Sequence, residues 1–88
     1  HLSPAERKAA TILYKSLSLA ESMGAKDAQT IKKNMRTMIE TEPLARLEYI
    51  SISDAFTLEE VELIEKPTLI SLAIWIGKTR LIDNTTLK

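Results

Sequence analysis

The stretch Thr68-Leu69-Ile70-Ser71-Leu72-Ala73-Ile74-Trp75-Ile76-Gly77-Lys78-Thr79-Arg80-Leu81-Ile82-Asp83-Asn84 decides the fold. Its β-branching, its length and the flanking Pro67 and Gly77 mark Thr68 to Ile76 as a strand rather than a helix. Ile70, Leu72, Ile74 and Ile76 share one face, and Leu69, Ser71, Ala73 and Trp75 share the other. Gly77-Lys78 offers a two-residue hairpin turn, so Thr79 to Asn84 is expected to return as an antiparallel strand. A row of isoleucine and leucine on one face must be covered by something else in the chain.

That cover lies upstream. Ser3-Pro4-Ala5-Glu6 has the form of a helix start: Ser3 as N-cap, Pro4 in the first helical position and Glu6 completing a capping box. A helix is expected from about Pro4 to Met23, with Ala5, Ala9, Ile12, Leu13, Leu17, Ala20 and Met23 as its apolar stripe. Arg7, Lys8, Thr11, Lys15, Ser18 and Ser22 fall on the opposite face. Gly24 supplies the left-handed cap residue. Asp27 can cap a second helix from Ala28 to about Thr41, with Ala28, Ile31, Met35, Met38 and Ile39 inward and Pro43 as its stop. Two helices joined by so short a loop should pack as an antiparallel hairpin.

Between helices and hairpin, Arg46 to Ser53 reads as a strand, with Leu47 and Tyr49 expected on one face and Ile50 and Ile52 on the other. Ala55 to Lys66 is an acidic connection carrying Glu59, Glu60, Glu62 and Glu65, anchored by Val61, Leu63 and Ile64 as a candidate short strand. The expected class is α+β. A two-helix hairpin packs on one face of a three-stranded antiparallel sheet, in the order α-α-β-β-β, as a two-layer sandwich.

Composition narrows the chemistry. The 88 residues suit a single small domain, divided as a helical hairpin over 1–43 and a sheet over 44–88. Twelve Lys and Arg balance twelve Asp and Glu, so the basic excess of a nucleic-acid binder is missing. The balance is not local: residues 1–36 carry a net +4 and residues 37–88 a net −4, so the zero total hides a basic helical half and an acidic sheet half. With no Cys and one His, at position 1, the chain can build no disulfide, thiolate zinc site or His-based triad within itself. The apolar run Leu69 to Ile76 is too short to span a bilayer, and no signal-peptide pattern opens the chain. These features point to a soluble cytoplasmic protein with neither nucleic acid nor membrane as partner.

The acidic connection lacks the alternating Asp/Asn and the central Gly of a calcium loop, so a solvated linker is its first reading. The lysines of the first helix have a solvated face as their first reading and a phosphate contact as their second. Trp75, opposite the isoleucine row, either covers its own domain or anchors a neighbour. Ser3 has no base beside it and is a cap, not a nucleophile. Gly24 and Gly77 are the only glycines, so no nucleotide-binding glycine loop is present.

Leu2-Ser3-Pro4-Ala5-Glu6-Arg7 and Gly77-Lys78-Thr79-Arg80-Leu81-Ile82-Asp83-Asn84, with Leu47-Glu48-Tyr49-Ile50 and Asp54-Ala55-Phe56-Thr57-Leu58-Glu59 in order between them, resemble the C-terminal domain of the pantoate–β-alanine ligases. The resemblance covers essentially the whole chain. Its most specific part is Arg80-Leu81-Ile82-Asp83-Asn84; His1 departs from the tyrosine most common in the family. It implies that residues 1–88 are a C-terminal lid domain cut from a larger two-domain enzyme, in keeping with a capping box only two residues from the start. The implied enzyme uses ATP and Mg²⁺, joins pantoate to β-alanine through pantoyl adenylate, and is a homodimer. Its ATP loops and nearly all substrate contacts belong to an N-terminal nucleotide-binding domain. No catalytic residue carries over to this chain, no cofactor is expected on it alone, and the isolated piece should be inactive. Arg7, Lys8, Lys78 and Arg80 are the candidates for lid residues facing phosphate. The competing expectation is a stand-alone α+β interaction module that binds a protein through Trp75.

Overall fold

The computed structural model describes residues 1–88 as α1 (Pro4–Met23), α2 (Ala28–Glu40), β1 (Ala45–Asp54), β2 (Thr68–Ile76) and β3 (Thr79–Leu87). Each helix starts where a short polar side chain can satisfy its free N–H groups. Ser3 Oγ accepts from Glu6 N–H at 3.1 Å, and Glu6 Oε1 accepts from Ser3 N–H at 2.9 Å. Gly24, at φ 63°, ends α1 in the left-handed region. Asp27 caps α2 by accepting from the N–H and the hydroxyl of Thr30, and Thr41 closes the helix by donating to Met38 O.

All three strands pair antiparallel in the order β1-β2-β3, so β2 is central and the helices cover one face only. Ile70, Leu72, Ile74 and Ile76 are fully buried beneath Ile12, Leu17, Ile31, Met35 and Ile39, as the apolar row required. Burying each such side chain contributes about 1.5–3 kcal/mol. The α1 stripe is shifted from expectation. Ala5, at the exposed start of the helix, is outside the core, whereas Ser16 is fully buried because its hydroxyl donates to Leu13 O at 2.9 Å. Met35 lies in the core; Met23 and Met38 pack half-buried at its margin.

A β-bulge overturns the expected facing of β1. Leu47 pairs with Ile74 and Tyr49 with Ala73, leaving Glu48 as the extra residue. Leu47 therefore joins Ile50 and Ile52 on the helix side, while Tyr49 turns to the open side. Strict alternation fails here because a bulge sets two residues against one and resets the pleat. β3 also runs beyond Asn84, with Thr85, Thr86 and Leu87 paired to Ile70, Leu69 and Thr68. The polar Asn-Thr-Thr run has weak strand character of its own, and pairing to β2 supplies it.

The connection after β1 is not a strand. Asp54 accepts from the N–H groups of Phe56 and Thr57 at 2.8 and 2.9 Å, which forms a side-chain-closed turn. Beyond it are only the isolated bridges Ser53–Glu60 and Asp27–Leu63. Ala28 N–H donates to Glu62 O and Ile64 N–H to Lys26 O, so the connection ties the outer edge of β1 to the loop between the helices. This covers an edge that would otherwise present unpaired backbone groups.

Candidate functional site

The β2–β3 turn meets the start of α1. Ile76 pairs with Thr79, leaving Gly77-Lys78 as a two-residue loop with Gly77 at φ 59°. Positive φ at the first central position is the hairpin geometry that glycine supplies without strain. A Cβ at Gly77 would lie 2.6 Å from Glu6 Oε2, so the turn abuts the capping-box carboxylate. Lys78 consequently shares one corner of the domain with Arg7 and Lys8, and all three are exposed.

Arg80, the fourth candidate, is directed elsewhere. It pairs with Trp75 across the open face and donates to Glu48, Nε to Oε1 at 2.8 Å and a second N–H to Oε2 at 2.9 Å. The indole N–H of Trp75 donates to the same Oε1 at 2.8 Å. Arg46, opposite Trp75 on the other side, sets its guanidinium 5.7 Å from the ring centroid, a cation–π arrangement. The bulge places Glu48 within reach of all of them. The Arg80 hydrogen bonds are the main reason its carboxyl lies below its ordinary value. Burial opposes them in part, and the indole N–H and the fields of Arg80 and Arg46 add to the lowering. Arg80 is correspondingly held charged by Glu48.

Two further carboxylates are spent on structure. The N–H groups of Thr57 and Phe56 lower Asp54. Burial pushes Glu60 up, but the Ser51 hydroxyl, the Ile52 N–H and Lys32 together outweigh it and leave it low. Glu60 thereby pins the acidic connection to β1 and α2. Glu59, Glu62 and Glu65 do not gather into a metal site: no group of three or more His, Cys, Asp or Glu side chains could hold an ion.

Two open clefts are lined by Asp54, Val61, Glu65 and Thr68 (about 380 Å³) and by Ala20, Gly24, Ile64 and Leu87 (about 440 Å³). Both lie toward the end of β2 opposite Gly77, roughly 25 Å from the basic corner at ~3.3 Å per strand residue. The structure thus leaves Arg7, Lys8 and Lys78 exposed at the end of the domain where the Gly77 turn abuts Glu6, holds Arg80 on Glu48 across the open face, and adds Glu48 and Arg46, which sequence reasoning missed. The signal was faint: the two arginines flank Trp75 only once the register is known.

Fold and polar features define an α+β domain whose charged side chains serve caps, ion pairs and one basic corner. Residues 1–86 match the family model described as pantoate-beta-alanine ligase. The chain is 45% identical over 89 residues to the pantothenate synthetase of Clostridium acetobutylicum, covering 98% of this chain and 32% of that protein. It is 50% identical over 91 residues to that of Clostridium botulinum strain Loch Maree, covering 100% of this chain and 32% of that protein. Its fold superposes on the crystal structure of pantothenate synthetase from Thermus thermophilus with a TM-score of 0.84 at 26% identity, covering 96% of this chain and 31% of the other. The chain belongs to the pantoate–β-alanine ligase family. It spans about a third of the length of these relatives, and the match over nearly its whole length favours the ligase reading over the stand-alone module.

Proposed function

We propose that this domain is the C-terminal lid of an ATP-dependent ligase that condenses pantoate with β-alanine. The observation that carries the reading is the family match over residues 1–86, on a chain only a third as long as its relatives. In the reaction, a pantoate carboxylate oxygen attacks the α-phosphorus of ATP, and the bond to pyrophosphate breaks. The amine of β-alanine then attacks the acyl carbon of pantoyl adenylate, loses a proton and expels AMP, leaving pantothenate. An acyl adenylate is a mixed anhydride that water destroys, so the site must exclude water until the amine arrives. A small hinged domain suits that role.

Arg7, Lys8 and Lys78 are the cations this domain offers to phosphate at its entry corner, and their charge favours the closed state over the open one. Arg80, held by Glu48, serves the open face instead. The carboxylates of this chain do not fit a metal ion. On the family resemblance, ATP and Mg²⁺ are held by the nucleotide-binding domain of the enzyme. The full-length enzyme acts in the cytoplasm as a homodimer. No helix of this chain is long and apolar enough to cross a membrane.

The test supplies ATP, pantoate, β-alanine and Mg²⁺ to the full-length protein and, separately, to residues 1–88. The full-length protein should release AMP and pantothenate, and the 88-residue chain should release neither. AMP from the short chain above an enzyme-free control would overturn the assignment of catalysis to the rest of the enzyme.

A further inference from the structure

We infer that residues 55–66, the acidic connection between β1 and β2, form a strap that opens as one unit while the sheet stays folded, with the Glu60 carboxylate as its latch, released by protonation. Between Ala55 and Pro67 no residue is buried. Val61 and Ile64 are half-buried, and Phe56, Leu58 and Leu63 are 80%, 64% and 56% exposed. In the strand that follows, Thr68, Ile70, Leu72 and Ile74 are all buried. A segment with so little apolar burial lies at the low-stability end of a fold and opens locally. Leu58 adds to this, since it is held at φ 64°, a left-handed backbone that disfavours an L side chain.

The strap is hinged at its base and held by polar bonds. Ala55 N–H donates to Pro67 O, which joins the two ends, so the loop between them can swing out without moving β2. Along β1, Asp54 N–H donates to Glu59 O and Val61 N–H to Ile52 O. At the loop between the helices, Ala28 N–H donates to Glu62 O and Ile64 N–H to Lys26 O. Glu60 is the only strap side chain hydrogen-bonded to β1 or α2. Its carboxylate accepts from the Ser51 hydroxyl and, at 3.2 Å, from Ile52 N–H, and it pairs with Lys32 of α2 at 3.4 Å. Ile52 is thus bonded to the strap through both its N–H and its C=O, in the place of a further strand.

The latch is built to respond to protons. Lys32 is the charged group that faces Glu60 from α2, and β1 faces it with a hydroxyl and an N–H. Burial opposes the charged form, but these donors outweigh it. At the first turn of the strap, Asp54 is held charged by the N–H groups of Thr57 and Phe56, with Lys66 as the cation near it and Glu62 and Glu65 lining the same cleft. The support from both carboxylates is complete above their ordinary values and is lost as pH falls through the lower folded ones. Protonating Glu60 replaces charge-assisted bonds by neutral ones and leaves Lys32 unpaired. Opening then uncovers the outer edge of β1.

The experiment is amide hydrogen exchange read by mass spectrometry on the full-length enzyme, comparing the unmodified protein with Glu60→Ala, Glu60→Gln and, as a control, Glu62→Ala, another exposed acid of the same strap. At neutral pH, peptides on both sides of Glu60 within 54–66 should exchange about tenfold faster in Glu60→Ala and several-fold faster in Glu60→Gln. The β2 peptide 68–76 should keep its protection, and Glu62→Ala should match the unmodified protein. Acidifying the unmodified protein should deprotect the strap before β2, once intrinsic exchange rates are corrected for. Unchanged strap exchange in Glu60→Ala, acceleration on one side of Glu60 only, equal acceleration in Glu62→Ala, or loss of β2 protection in step with the strap would each overturn the inference.

Discussion

Gly77→Ala probes the junction between the hairpin turn and the start of α1. The substitution forces a side chain into φ 59° and places its Cβ 2.6 Å from Glu6 Oε2. The backbone effect costs about 1–2 kcal/mol, the usual penalty for a left-handed L-residue. The clash is with the end of a flexible side chain, so Glu6 swings away and its bond from Ser3 N–H, 2.9 Å long, is lost. That loss costs about 1 kcal/mol more. The expected total is about 2–3 kcal/mol, a drop in Tm on the order of 10 °C for a domain of this size. Glu6→Ala alone should cost about 1 kcal/mol, and the double variant no more than Gly77→Ala by itself. The two effects should thus fall short of additivity by about 1 kcal/mol, read from denaturant midpoints in a double-mutant cycle. Strict additivity would refute the coupling of turn to cap, and an unchanged midpoint for Gly77→Ala would refute the turn geometry.

Two further outcomes follow from the core and the carboxylates. Ile74→Ala should destabilise by about 2–5 kcal/mol, because the fully buried side chain leaves a cavity between sheet and helices; a loss of only a few tenths in urea unfolding would contradict the packing. Glu48, Asp54 and Glu60 lie below their ordinary values of 4.5, 3.8 and 4.5 in the folded state. The stability they contribute is complete above those values and is lost as pH falls through the lower folded ones. The urea midpoint should therefore decline with acidification, and less steeply in Glu48→Gln; identical slopes would remove Glu48 from that linkage.

The parts of the fold legible in advance were those with local causes. The capping box of Ser3 and Glu6, the cap at Asp27, the length of β2 and the Gly77-Lys78 turn each follow from residues within a few positions of one another. The bulge did not, because nothing in Leu47-Glu48-Tyr49 is unusual until β2 fixes the register and Trp75 and Arg80 offer Glu48 its donors. Arg80 is directed away from Lys78 although only Thr79 lies between them, because Lys78 belongs to the turn whereas Arg80 pairs with Trp75 on the open face and is held there by Glu48. The burial of Ser16 was hidden for a related reason. A serine that returns its hydroxyl to Leu13 O occupies an apolar stripe without an unpaired polar atom. The end of β3 depended on its partner strand rather than on its own polar sequence.

The most direct measurement on the lid is the ratio of pantothenate made to AMP released by the full-length enzyme carrying Arg7→Glu and Lys8→Glu together, at saturating β-alanine. Both residues are exposed at the start of α1, beside the turn that carries Lys78. If their charge helps draw the domain closed over the phosphates, reversing it slows turnover and lets water reach the adenylate, and the ratio falls below one. A ratio that stays at one with turnover unchanged would contradict a lid held closed by this corner.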